Sequence, residues 1–102
     1  MNALFIIDGL PLEDRRAREA LRIAAGTGVW GKVRPTLCFT RANDPALGQA
    51  EDGELSRYIS LLRETAGGMF TRAPEESDGI LRHTDEAGLA KLIGKADTVL
   101  RF

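Results

Sequence analysis

The sequence predicts an α/β domain: a three-layer, doubly wound, mostly parallel sheet of four to five strands with helices on both faces. Three observations carry this. The chain opens with a short apolar run, a polar turn and an amphipathic segment, which together begin a βαβ unit. Strand-length apolar runs then alternate with segments of helical periodicity to the last residue. Right-handed crossovers leave such an alternation little besides a parallel sheet with helices on both sides. At 102 residues the chain makes one domain, 1–102, with a single core.

Ala3-Leu4-Phe5-Ile6-Ile7 is the first strand, too short to span a membrane and rich in β-formers. Asp8-Gly9-Leu10-Pro11 turns the chain. The segment 12–25 follows as a helix, with Ala17, Ala20, Leu21, Ala24 and Ala25 on one face, and Gly26 and Gly28 are expected to stop it. Val33 to Thr40 is the second strand, where Pro35 must lie near the start or at an unpaired position. Arg41 to Gly53 is a long polar loop, of the kind that is often functional.

A second helix runs from about Glu54 to Ala66, with Leu55, Tyr58, Ile59 and Leu62 on its inner face, and ends at Gly67-Gly68. Gly68 to Arg72 is a short third strand, and Ala73 to Asp78 is acidic and turn-like. Residues 79–83 fit either a brief strand or part of a helical connection. Thr84 is the expected N-cap of the last helix, with Asp85 and Glu86 in its first turn. Leu89, Leu92, Ile93 and Ala96 line that helix's inner face, and residues 97–102 form the closing strand.

The first strand, the turn containing Pro11 and the helix ending Ala20-Leu21-Arg22-Ile23-Ala24 resemble the start of the DsrE/DsrF/DsrH-like sulfur-relay family. The closing Ala96-Asp97-Thr98-Val99-Leu100-Arg101-Phe102 is similar to the family's final strand. The resemblance implies a small α/β domain that assembles into homo- or hetero-oligomers and a role in passing persulfide sulfur between protein cysteines. In sulfur-carrying members the acting cysteine ends the third strand. The matching positions, Phe70 to Ala73, hold no cysteine, so that catalytic role does not carry over.

Bulk properties narrow the partners. A net charge of −1 gives no electrostatic case for nucleic acid or an anionic membrane. The opening run lacks a basic leader and a cleavage site, so a cytoplasmic location is the default. One cysteine cannot form an internal disulfide or a cysteine-based metal site. No Gly-x-Gly-x-x-Gly follows the first strand, which leaves a dinucleotide without support. Neither cofactor nor metal is expected.

The carboxyl edge of the sheet, where such folds bind ligands, is expected to hold the candidate ligand-binding residues Asp8, Arg41, Asn43 and Arg72. Asp8 can bind a ribose, a metal or a substrate proton, or cap its own turn. Arg41, Asn43 and Asp44, with Arg72, can hold a small anion or stand as solvated charges. Gly9 is read as a position of backbone freedom. Cys38, between Leu37 and Phe39, reads as an inert buried thiol, and as the nucleophile only if the chain is a sulfurtransferase. His83 has no partner at triad spacing and reads as a polar residue ahead of the Thr84 cap. Trp30 is balanced between a subunit contact and a plug under the sheet. Trp30, Leu10, Leu47 and Met69 are expected near an apolar patch that a second copy covers. The favoured reading is a non-catalytic DsrE-like subunit or binding module in an oligomer. The alternatives are a sulfurtransferase using Cys38 and a small-molecule or anion-binding domain at the carboxyl edge.

Overall fold

A computed structural model of the chain describes residues 1–11, 13–41, 53–73 and 81–102. Asn43, Asp44 and Leu47 lie outside them. The elements are β1 (Asn2–Ile7), α1 (Arg15–Trp30), β2 (Arg34–Phe39), α2 (Gly53–Thr65), β3 (Gly68–Thr71), β4 (Arg82–His83), α3 (Glu86–Lys95) and β5 (Thr98–Arg101). All five strands are parallel, in the order β4-β3-β2-β1-β5. The doubly wound expectation is met.

The register separates the two faces. Ala3, Phe5 and Ile7 pair with Pro35, Leu37 and Phe39, and Leu37 and Phe39 with Met69 and Thr71. This face carries the main core, closed by Leu21 and Ala24 of α1 and by Leu55, Ile59 and Leu62 of α2. Leu4, Ile6 and Cys38 point the other way, with Phe70, and among the described residues meet α3 through Leu89, Leu92 and Ala96. The coverage is unequal. No residue of α3 is fully buried, and all four residues of β5 are exposed.

Several sequence expectations are corrected. The first helix does not stop at Gly26 and Gly28 but runs on to Trp30, ending at Gly31, which takes the left-handed conformation (φ 84°) and donates its N–H to Thr27 O. Gly28 lets α1 approach its neighbours: an added Cβ would stand 2.4 Å from Thr65 Oγ1. Gly9 likewise supplies space rather than a special φ, because Gly31 is the only described glycine with positive φ. The Asp14 carboxylate, which caps α1 by accepting from Arg16 N at 2.8 Å, lies over Gly9. The N-cap of α3 is Asp85, accepting from Gly88 N at 2.7 Å, and not Thr84. Thr84 instead donates its N–H to Thr71 O at 2.9 Å, prolonging the β3–β4 ladder. Residues 82–83 are a strand. Met69 is buried, so it belongs to no surface patch. Trp30 plugs nothing: it is 64% exposed, with Lys32 Nζ 5.4 Å from its ring.

Candidate functional site

At the carboxyl edge, β1 is the strand from which the connections wind outward, to β2 on one side and finally to β5 on the other. This is the switch point at which open parallel sheets leave a crevice. Asp8 stands there as the residue after β1. Its N–H continues the ladder to Phe102 O at 3.0 Å. Its Oδ2 accepts from Arg101 Nε at 2.9 Å, and its Oδ1 from Arg101 Nη2 at 3.2 Å and from Thr40 Oγ1 at 3.0 Å. Arg41 Nε donates to the Asp8 carbonyl at 2.9 Å. The carboxylate is thus held by a two-pronged guanidinium from the edge strand and a hydroxyl from the strand on its other side.

The electrostatics follow. The hydrogen bond from Arg101 lowers the Asp8 pKa from its ordinary value, partial burial opposes this, and Thr40 and the charges of Arg101 and Arg41 add to the lowering. A carboxylate so held is a weak base. Chemically the arrangement is an anion surrounded by cations, suited to fixing strand ends or receiving a second anion beside Arg41 and Arg101. Arg72 continues the same edge beyond β3, where its N–H donates to Phe39 O at 2.8 Å. Its positive charge is felt at Cys38.

Cys38 is fully buried in the smaller core, beside Leu4 and Ile6. Burial pushes its thiol up to about 11, against a smaller downward pull from Arg72. At neutral pH it is a protonated apolar side chain, without the thiolate that sulfur chemistry needs. His83 is exposed, and its Nδ1 donates to Ala73 O at 2.9 Å. Among the described residues no group of three or more His, Cys, Asp or Glu side chains could hold a metal ion. No described helix is long and apolar enough to cross a membrane.

Sequence reasoning missed Arg101. It lies 93 positions from Asp8 and belongs to no local motif. The available signal was topological: the last strand of an alternating chain can return beside the first, which puts its final polar residue next to Asp8.

Among solved structures the chain is similar over 100% of both lengths to the ychN protein from E. coli, with a TM-score of 0.73 and 15% sequence identity. The fold is DsrE-like. That likeness concerns the DsrE-like fold alone. No family model matches the chain, and no curated protein matches it by sequence.

Proposed function

We propose that the protein is a non-catalytic DsrE-like subunit or binding module that works in an oligomer and serves sulfur relay without carrying sulfur itself. The observation that carries this reading is the uncovered edge at β5. Val99 and Leu100, on opposite faces of the strand, are 42% and 38% exposed, and Ile93 of α3 is 43% exposed. An edge strand with apolar residues on both faces is a template for another strand. The burial of Cys38 supports the absence of thiol chemistry.

We infer one register for a second copy at that edge. Antiparallel pairing about a twofold normal to the sheet, centred on Val99, sets Asp97 of each copy opposite Arg101 of the other on one face. It also covers Leu100 on the other face. Light scattering at micromolar concentration checks the reading, with a dimer or larger species expected. Val99→Lys should give a folded monomer of about 11 kDa. A native protein that is already monomeric would remove the proposal.

The second reading, an anion site at the carboxyl edge, draws on Arg41 beside Asp8 and on Arg72 beyond β3 at the same edge. If Arg41 and Arg72 take an added anion, sulfate should raise the melting temperature more than chloride at equal ionic strength. The Arg41→Ala, Arg72→Ala double variant should lose the difference beyond sulfate's general stabilising effect.

A further inference from the structure

At the opposite end of the sheet from Asp8, on the thinly covered face, lies a cleft of about 260 Å³ between the strands and the C-terminal end of α3. Its floor and wall are apolar: Leu4 of β1, Phe70 of β3, and Leu92 and Ala96 from α3 and its end. Its rim carries Arg34 at the start of β2 and Lys95 at the end of α3, with Thr36 between strand and rim. Neither Arg34 nor Lys95 has an ion-pair partner among the described residues. The carboxylate of the nearby Asp97 accepts from Asn2 N at 2.7 Å. The negative end of the α3 dipole reaches the same rim, and Lys95 offsets it.

Glycine keeps this cleft open. Gly67 does not have a positive φ, so its backbone admits a side chain. A Cβ there would stand 2.9 Å from Thr36 Oγ1 and 3.3 Å from Arg34 Nε, in the gap between the hydroxyl and the guanidinium. At Gly68 the place of a side chain is taken by the Phe70 ring, 2.6 Å from where a Cβ would sit, which lays the ring along the cleft. Hydroxyl, guanidinium and ammonium groups, with Asn2, therefore line a small cavity whose remaining side chains are hydrocarbon.

We propose that this amino-edge cleft binds a small organic carboxylate, its charge between Arg34, Lys95 and Thr36 and its hydrocarbon against Phe70, Leu92 and Leu4. Paired guanidinium and ammonium groups suit an anion, and the apolar floor favours an organic acid over an inorganic one. The cavity is below the roughly 300–1,000 Å³ of sites for drug-sized molecules, which restricts the ligand to a few carbons or one ring. The site is independent of the subunit reading above, because it lies within one chain.

Titration of isotope-labelled protein with hexanoate, followed by amide NMR, tests this. Saturable shifts centred on Thr36, Gly67, Gly68 and Phe70 are expected, with hexanol and inorganic phosphate each binding at least tenfold more weakly. The Arg34→Gln, Lys95→Gln double variant, exposed at both positions, should fold and lose at least tenfold in affinity. Gly67→Ala should lose as much with no change in charge, and Arg63→Ala, on the exposed side of α2 over the other face, should bind as the native protein does. Equal binding of hexanol, unchanged binding by the double variant, or shifts centred on Asp8 and Arg101 would overturn the proposal.

Discussion

Cys38 and Asp8 stand two residues past one another on the same sheet face, and their protonation runs in opposite directions. Cys38 is dry, and the fold favours its protonated form. Its contribution to stability is therefore whole below the unfolded thiol pKa near 9 and is lost as pH rises towards about 11. Two pKa units correspond to a loss of about 3 kcal/mol at most. The urea midpoint of the native protein should fall across that window more steeply than that of Cys38→Ala. A thiol reagent should label folded protein slowly and unfolded protein fast; rapid labelling of the folded state would revive the sulfurtransferase. Asp8 behaves inversely. Its folded pKa is lowered, so its support is present above the ordinary carboxylate range and fades as pH falls through the folded value. Arg101→Gln should flatten that acid limb. The state of Cys38 was legible from its apolar neighbours. The Asp8–Arg101 pair was not, because residues from the two ends of the chain meet only once the strand order is known.

At the scale of elements, periodicity located each of the described helices, while glycine misled. Gly26 and Gly28 read as stops, yet tertiary packing holds α1 together past both, since a glycine costs a helix only about 1 kcal/mol relative to alanine. The two are opposites in kind. Nothing lies within 4 Å of a Cβ added at Gly26, whereas Gly28 faces Thr65 and Pro35. Gly26→Ala should raise stability by about 0.5–1 kcal/mol through helix propensity. Gly28→Ala should lower it by about 1–3 kcal/mol through overpacking between α1 and α2. Chemical denaturation of the two variants side by side checks both signs, and Thr65→Ala should recover part of the second loss. β4 could not be settled beforehand: two residues carry too little pattern, and its identity comes from hydrogen bonds to β3.

For the whole molecule, alternation and handedness were enough to predict layers and parallel pairing, but not their unequal thickness. Among the described residues two helices cover one face and a single ten-residue helix the other, which leaves both β5 and the amino-edge cleft open. Neither feature follows a motif, since the cleft draws its residues from β1, β2, β3 and α3, which are far apart in sequence. If copies associate through β5, the facing Asp97 and Arg101 charges make the contact sensitive to screening. The dissociation constant should rise as salt increases from 0.05 to 0.5 M, measured by sedimentation. An assembly indifferent to salt would place the interface elsewhere.

The pairing of Ala3 with Thr98 also sets an order of events during synthesis. β1 leaves the ribosome first, and one of its edges finds β2 soon after α1 has formed. Its other edge waits for nearly the whole chain before β5 arrives. Contacts so distant in sequence form late, because the loop-closure entropy must be met before they contribute. Until then the nascent domain presents a half-finished sheet whose open edge is its most apolar strand, the situation in which a growing chain most needs a chaperone.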